Sequence, residues 1–286
     1  MNASQSTILA VTNQKGGVGK TTTAVHLTSA LATNGYRTLL VDMDPQGNAS
    51  QALGFKLQDH RISVADLIWD KTIPTEQAIC KRAGLDVIVA NPSLARVERG
   101  MVTLTNSELR LAQRLRGLRT IYDFIVIDSA PSFGPLLNSV LNAAEHLIVP
   151  VDSNFFALMG IQKLLGEIDE IRSGTNSTLN VLGYLMTMVD RTIICGQTND
   201  AVTQNFSSLV FSTRIRRAVS LREAPMLGKT VFEYEPHSGA AEEYLRLAVE
   251  VSARLQALKQ NQNLRLIMTS SERSASWKKH FLERAF

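Results

Sequence analysis

The chain is poor in the residues that would indicate a disulfide-stapled, metal-cluster or membrane-spanning protein. Among its 286 residues there are only two cysteines, Cys80 and Cys195. Neither has metal-ligand or redox spacing around it, which argues against a cysteine-held iron–sulfur cluster, and we expect buried or incidental thiols. No stretch approaches the roughly 20 apolar residues of a membrane span.

A charged-then-apolar leader is also missing, because the first apolar strand candidate begins within a few residues of the start. We therefore expect the protein to stay in the cytoplasm. The composition, 44% hydrophobic and 20% charged, is that of a soluble globular chain able to build one large core. The net charge of +4 is compatible with a polyanionic partner without requiring one.

Short apolar, β-branched runs alternate with helix-length segments along the chain. The strand candidates are Ile8–Thr12, Thr38–Asp42, Leu85–Ala90, Phe124–Asp128, His146–Val151, Val181–Val189 and Val210–Ile215; helix candidates include Thr21–Ala32, Ser93–Leu118, Gly134–Ala144 and Phe155–Ile171. Continuous apolar strands are typical of burial on both faces. The sequence therefore predicts an α/β fold, a single domain with a mostly parallel twisted sheet and helices on both faces, over residues 1–258. Residues 259–286 read as a tail, either a docked helix or disordered.

A glycine-rich run with two lysines separates the first strand from the first helix. Such a loop lets backbone N–H groups surround phosphate oxygens, and the helix N-terminus adds positive potential. Lys20 would neutralise the β- and γ-phosphates of a bound nucleotide, and the Thr21 hydroxyl would complete a Mg²⁺ shell. The ordinary pattern has glycine where this chain has Gln14, and Lys15 is the additional cation. The predicted nucleotide-binding residues are Lys15, Gly16, Gly17, Val18, Gly19, Lys20, Thr21 and Thr22.

Two further motifs place carboxylates at the ends of strands. Asp42 and Asp44 are separated by one residue, so they face the same way across a pleat. Beside a triphosphate, one could organise the metal hydration shell and the other could orient an attacking water. Asp42 could instead hold the following turn. Asp128 ends the apolar run Phe124–Ile127, as expected of a carboxylate that holds Mg²⁺. The predicted metal residues are Thr21, Asp42 and Asp128.

These motifs resemble those of the deviant-Walker P-loop ATPases, the family of ParA, Soj and MinD. The phosphate loop KGGxGK followed by Thr is unbroken, and DPQGN after Asp42 is similar to the ParA/Soj branch. The likeness extends to Leu221-Arg222-Glu223-Ala224-Pro225 and covers about residues 8–258. It implies an ATP hydrolase that dimerises on ATP. It also implies that Lys15 reaches the partner's nucleotide phosphates and that Asp44 positions the water, giving Lys15, Lys20 and Asp44 as the catalytic set.

Two groups of basic residues could contact a nucleic acid. The first is Arg214, Arg216, Arg217, Arg222 and Lys229; the second is Arg96, Arg99, Arg110, Arg114, Arg116 and Arg119. The resemblance implies that an ATP-bound dimer binds double-stranded DNA non-specifically through residues near the first group. Phosphate contacts from Arg and Lys would supply such affinity without reading the base sequence. The family often has arginine where this chain has Ser220, and Arg222 supplies a charge close by.

The tail favours a competing function. Trp277, Phe281, Leu282 and Phe286, with Lys278 and Lys279, are reminiscent of the basic amphipathic helix with which MinD-like relatives bind membranes. The segment is short and would be marginal as an isolated helix in water.

Two functions follow. The first is a nucleoid-associated partitioning ATPase that segregates plasmid DNA, chromosomal DNA or another cargo and is released when a ParB-like activator stimulates hydrolysis. The second is a membrane-surface positioning ATPase anchored by the tail.

Overall fold

The computed structural model describes residues 6–59, 62–82, 84–152 and 157–282, and of residues 157–159 and 262–282 it describes the backbone alone. In the described chain seven strands form one sheet in the order β3-β4-β2-β5-β1-β6-β7. The strands are β1 Thr7–Val11, β2 Thr38–Met43, β3 Ile79–Arg82, β4 Leu85–Ile88, β5 Phe124–Ser129, β6 His146–Asp152 and β7 Asn180–Thr187. Every pairing is parallel except that of β3 with β4. The predicted α/β fold with a mostly parallel sheet is confirmed.

The helices are α1 Lys20–Thr33, α2 Asn48–Ala52, α3 Val64–Trp69, α4 Leu94–Met101, α5 Arg110–Leu115, α6 Pro135–Ala143, α7 Ala157–Gly174, α8 Ile193–Phe206, α9 Ser220–Met226, α10 Val231–Tyr234 and α11 Gly239–Leu282. Helices α1–α7 lie between strands along the chain, and α8–α11 follow β7. The predicted helix 155–171 begins at Ala157 here, and Phe155 lies outside the described residues.

Burial on both sheet faces explains the continuous apolar strands. All five residues of β1 and all six of β5 are buried. Successive side chains point to opposite faces. Ile8 and Ala10 pack in the large core cluster with residues of α3–α7, whereas Leu9 and Val11 belong to the opposite face. Helix α1 packs against the sheet through β5, β2 and β1.

The predicted long helix Ser93–Leu118 is wrong. Helix α4 ends at Met101, a short 3₁₀ turn covers Ser107–Leu109, and α5 begins at Arg110. Asn106 separates them with a φ of 54° in the left-handed region. An α-helix cannot pass through a residue in that conformation.

The strand predicted at Val210–Ile215 is also wrong. Within the described chain this segment makes only isolated bridges beside β7, Tyr184 with Val210 and Val189 with Arg216. Its polar residues from Ser212 to Arg214 interrupt the apolar run that a central strand would need. Strand β3 was not predicted, because Lys81 and Arg82 make half of its four residues charged.

The chain divides into two compact units, one ending at Ala248 and one starting at Val249. The predicted domain boundary at residue 258 stays a prediction. None of the described helices is long and apolar enough to cross a membrane.

Candidate functional site

The glycine-rich loop connects the buried strand β1 to α1 and contains two glycines that need the left-handed region. Gly17 has φ 75° and Gly19 has φ 84°. Two neighbouring strands support it, because Asn13 Nδ2 of the loop donates to Pro150 O of β6 at 2.7 Å and Thr187 Oγ1 of β7 donates to Val18 O at 2.8 Å. The loop is therefore held at the carboxyl ends of β1, β6 and β7, where parallel sheets bind ligands.

Lys20 points back over the loop. Its ammonium donates to the Lys15 carbonyl at 2.9 Å, and the residue is only 7% exposed. Burial lowers the pKa of Lys20, and the charges of Asp128 and Asp44 oppose that shift. A cation held by one carbonyl inside a loop of N–H donors is placed to accept an anionic group.

Lys15 lies on the other side of the loop. Its Nζ is 2.6 and 2.8 Å from the two carboxylate oxygens of Asp152 at the end of β6. Lys15 N also donates to Asn13 Oδ1 at 3.1 Å, which fixes the backbone at this corner. The ammonium predicted to serve a partner's phosphates is thus paired with a carboxylate of its own chain.

Asp42 and Asp128 sit side by side because β2 and β5 pair in register at these two residues. Both are 0% exposed. Burial raises the pKa of Asp42 to about 6, partly offset by the hydrogen bonds it accepts. Burial and the neighbouring Asp42 raise the pKa of Asp128 well above its ordinary value. Two adjacent buried carboxyl groups cannot both ionise easily, and a cation would relieve that strain.

The two carboxylates differ in their partners. Asp42 accepts from Asp44 N at 3.1 Å, Ser50 N at 2.8 Å and Ser50 Oγ at 2.6 Å. Apart from the nearby Thr21 hydroxyl, the Asp128 oxygens have no hydrogen-bond partner among the described residues. Asp128 is therefore the carboxylate with acceptors to spare, while the contacts of Asp42 support its alternative role of holding the following turn.

Asp44 caps the loop that leads into α2. Its Oδ1 accepts from Gln46 N at 2.9 Å, and Asn48 Nδ2 lies 3.4 Å from its Oδ2. Asp44 also borders a cavity of about 290 Å³ that contains the predicted phosphate-binding residues Gly16, Gly17, Gly19, Lys20, Thr21 and Thr22, together with Asn48, Pro131 and Met188. The carboxylate, the lysine and the glycine-rich backbone thus share one opening.

A second cavity of about 260 Å³ adjoins the first through Gly19, Thr22 and Met188. It is lined further by Thr187, Ile215, Arg216, Arg217, Ala218, Val219, Leu221, Arg222 and Tyr244. Met188 borders both cavities with a φ of 53°, a conformation that β-unbranched side chains adopt at some cost and that is frequent at binding sites. A cavity with apolar side chains beside one lined by the phosphate loop matches a nucleoside joined to its phosphates.

The donor set also fits Mg²⁺. Thr21 borders the phosphate cavity and its hydroxyl lies near Asp128, a buried carboxylate short of partners, so the two could supply oxygen ligands. Among the described residues no cluster of three or more Asp, Glu, His or Cys side chains forms a metal site. Mg²⁺ needs no such cage, since it usually binds one or two carboxylates plus phosphate oxygens and water.

The first basic group does not act as one uniform surface. Arg216 pairs with the buried Glu243, and Arg217 Nε is 3.6 Å from Asp190 Oδ2. Arg214, Arg222 and Lys229 are exposed and have no ion pair within the described part of the chain. The structure brings Arg216, Arg217 and Arg222 to the apolar cavity.

Half of the second basic group is structural. Arg110 donates to the carbonyls of Ile68 and Trp69, and Arg114 donates to those of Asp70, Lys71 and Ile73. Arg119 pairs with Glu145 and donates to Ser6 O. These three bind loops of their own chain, while Arg96, Arg99 and Arg116 are exposed. Side chains of the tail, from Trp277 to Phe286, lie outside the described residues.

Sequence reasoning missed Asn13, Ser50, Asp152 and Met188. Asp152 ends a buried strand as Asp128 does, so the same strand-end rule could have found it. No local pattern marks the other three, because their roles depend on partners that are distant in the chain or on backbone conformation.

Comparisons with known proteins agree with this geometry. A family model described as an AAA domain matches residues 6–181. The sporulation initiation inhibitor protein Soj of Bacillus subtilis is 42% identical over 250 residues, covering 86% of this chain and 98% of Soj. The chromosome partitioning protein ParA of Myxococcus xanthus is 39% identical over 249 residues, covering 86% of this chain and 88% of ParA.

A solved structure adds the fold. Cobyrinic acid a,c-diamide synthase from Mycobacterium smegmatis, with bound ADP and magnesium, superimposes with a TM-score of 0.78 at 29% identity, over 90% of this chain and 96% of that one. The sheet order, the phosphate loop and the strand-end carboxylates are thus accompanied by sequence identity along most of the chain. The chain belongs to the Soj/ParA family of chromosome-partitioning ATPases.

Proposed function

We propose that this partitioning ATPase binds Mg²⁺ and ATP in the two adjoining cavities, dimerises on ATP, binds DNA non-specifically as the dimer, and is released when an activator protein stimulates hydrolysis. The observation that carries the proposal is that Lys20, Thr21 and Asp44 border one cavity together with the glycine-rich loop, and that the buried Asp128 interacts with both Lys20 and Thr21. The cavity of about 260 Å³ beside it would hold the nucleoside.

Each residue has a distinct task in hydrolysis. Lys20 and the loop N–H groups bind the β- and γ-phosphate oxygens, where negative charge increases in the transition state. Asp128 and Thr21 would hold Mg²⁺, which neutralises phosphate charge when bound. Asp44 accepts a hydrogen bond from the attacking water and orients it. Asp42 keeps Asp44 and α2 in place through Ser50 and the Asp44 amide.

Lys15 supplies the reason for a dimer. Its ammonium is bound to Asp152 and therefore does not occupy the phosphate cavity of its own chain. Transfer of Lys15 from Asp152 to the phosphates of a second subunit would make ATP part of the subunit interface. Exchanging one anionic partner for another avoids leaving the ammonium unpaired in a partly buried position.

DNA would bind through the exposed cations Arg214, Arg222 and Lys229. Arg216 and Arg217 would contribute less, because each is already paired with a carboxylate of its own chain. Phosphate contacts of this kind release counterions, so affinity falls steeply as salt is raised. Surfaces outside the candidate site would select the DNA or other cargo and the ParB-like activator.

Light scattering after size exclusion, combined with DNA co-sedimentation, tests the proposal in the presence of ATP and of ADP. We expect a dimer that sediments with DNA in ATP only. Lys15→Gln should bind ATP but remain monomeric and leave DNA in the supernatant. A native protein that dimerises without ATP, or a Lys15→Gln protein that still dimerises, would contradict the role given to Lys15. Sedimentation with anionic liposomes instead of DNA would favour the membrane-surface alternative.

A further inference from the structure

Two glycines bring the ends of two distant helices into direct backbone contact. Gly54 follows α2 with φ +82°, and Gly228 follows α9 with φ +64°. A Cβ on Gly228 would lie 2.7 Å from Gly54 Cα, and a Cβ on Gly54 would lie 3.3 Å from Gly228 Cα. The first distance is shorter than any real carbon contact, so Gly228 admits no side chain. The end of α2 therefore cannot move towards α9 without pushing it.

Arg82 of β3 clamps this glycine contact from the side. Its Nε donates to Leu53 O at 3.0 Å and its Nη2 donates to Gly228 O at 2.6 Å. Its Nη1 lies 3.5 Å from Glu233 Oε1 of α10. The planar guanidinium offers donors in fixed directions, so one side chain bonds both helix ends at once. The two ends therefore resist separation as well as approach.

The α2 side of the clamp is connected to the candidate catalytic carboxylates. Ser50 of α2 donates twice to Asp42, and Asn48 at the start of α2 lies at the Asp44 carboxylate. Helix α2 has only five residues, and Leu53 alone separates its end from Gly54. A shift of the Asp44 loop thus displaces the whole short helix.

The α9 side is connected to the apolar cavity and to the basic group. Leu221 and Arg222 of α9 line that cavity. Lys229 N donates to Ala224 O at 3.0 Å, which joins the Gly228 turn to α9, and Tyr234 OH donates to Glu223 Oε2 at 2.8 Å. Every step from Asp44 to Arg222 is therefore a direct bond or a backbone contact.

We propose that Arg82 is a positioning residue that makes α9, with Arg222 and the nearby Lys229, respond to the state of the Asp44 loop. Packed elements shift as units, so a displacement of α2 between nucleotide states is carried across the Gly54–Gly228 contact to α9. The clamp gives the ATPase a path from γ-phosphate chemistry to its cationic surface. This inference depends on the proposed binding of nucleotide at the phosphate loop and does not depend on DNA binding.

Amide hydrogen exchange tests the coupling without DNA. The native protein, Arg82→Gln, Arg82→Lys and Gly228→Ala are compared in ADP and in a slowly hydrolysed ATP analogue. Arg114→Gln is the matched control, because Arg114 also binds loop carbonyls but lies in another part of the fold. In the native protein we expect the analogue to slow exchange in both 44–54 and 220–230, by about tenfold in the latter.

In Arg82→Gln we expect segment 44–54 to keep its response and segment 220–230 to lose it, with a difference between nucleotides of less than about twofold. Arg82→Lys, which keeps the charge without the fork, should give a partial loss, and Arg114→Gln should respond as the native protein does. Gly228→Ala, whose methyl group would press on Gly54, should also lose the response, and Arg82→Lys covers the case of an Arg82→Gln protein that does not fold.

Three outcomes would overturn the proposal. One is a native segment 220–230 that does not respond to the nucleotide. Another is an Arg82→Gln protein whose segment 220–230 responds like the native one. The third is faster exchange of 220–230 in both nucleotide states with the difference between them retained, since that is the effect of a purely structural residue. DNA binding measured separately by fluorescence anisotropy can fail without affecting any of these results.

Discussion

Two charged regions of the molecule differ in how deeply their charges are buried. One is the cluster of carboxylates and lysine around the phosphate loop, and the other is the arginine group near α9. In the first, Asp42 and Asp128 are buried side by side where β2 pairs with β5, and Lys20 is buried at the start of α1. In the second, arginines stand on a short helix and a loop, and some are paired while others are free within the described chain. A buried charge is held in one position by its surroundings. What an exposed charge contributes depends on the group that it contacts.

The largest effect should come from the interior cation. Lys20→Ala should weaken ATP binding by about a hundredfold or more, because a charge-assisted bond to the phosphates is removed from a buried loop. Isothermal titration calorimetry with ATP measures this. Lys15→Ala is the matched control and should retain ATP affinity, because its ammonium is bound to Asp152. Native affinity in Lys20→Ala would mean that the phosphates bind elsewhere.

The second effect concerns chemistry without binding. Asp44→Asn should bind ATP with near-native affinity and hydrolyse it about 10²–10⁴-fold more slowly, since the water loses its carboxylate acceptor. Phosphate release gives the rate and calorimetry gives the affinity. Asp59→Asn, an exposed change beyond α2, serves as the control with native turnover. Native hydrolysis in Asp44→Asn would remove Asp44 from the mechanism.

The third prediction divides the surface group by pairing. Changing Arg214, Arg222 and Lys229 together to Gln should reduce DNA affinity by more than tenfold and lower the salt slope by about one unit per lost phosphate contact. Arg217→Gln should cost less, because that guanidinium is already paired with Asp190. Fluorescence anisotropy across a salt series gives both quantities. Equal losses in the two variants would show that pairing in the free protein does not rank the cations.

The smallest effect is on stability and its pH dependence. Asp128→Asn should raise the melting temperature of the nucleotide-free protein at pH 7.5 by a few degrees, since it removes a buried carboxylate charge. The pKa of Asp128 is raised in the folded state, so the native chain takes up a proton on folding as pH falls. Its stability relative to the variant therefore increases between that raised pKa and the ordinary value of 3.8.

Calorimetric melting at several pH values checks this trend. The gap between variant and native protein should narrow as pH falls through that range. A gap that widened on acidification, or a variant less stable than the native protein at pH 7.5, would show that the Asp128 charge is already balanced in the folded chain.

Sequence predicted the interior region far better than the surface. The phosphate loop, Asp42–Asp44 and Asp128 are local motifs at the ends of apolar strands, and the fold brings them together as parallel strands must. The positions of Arg110 and Arg114 could not be foreseen, because their partners are backbone carbonyls about forty residues away, a distance in sequence at which no local pattern operates.

The edge strand β3 shows a similar limit. Its four residues include Lys81 and Arg82 and alternate too briefly to predict a strand, and pairing with β4 decides their conformation. The error at Val210–Ile215 is the reverse. The segment has strand propensity, but in the described chain it makes only isolated bridges beside β7.

The two borders of the sheet also affect how copies of this protein can meet. One border is β3, a four-residue strand carrying two basic side chains, and the other is β7, accompanied by the 210–216 segment through isolated bridges. Short, charged or covered edges are poor templates for a further strand. Growth by edge-to-edge strand addition, the route to fibrous aggregates, is thereby disfavoured. Copies of the protein could therefore reach a high local concentration without joining through their sheet edges.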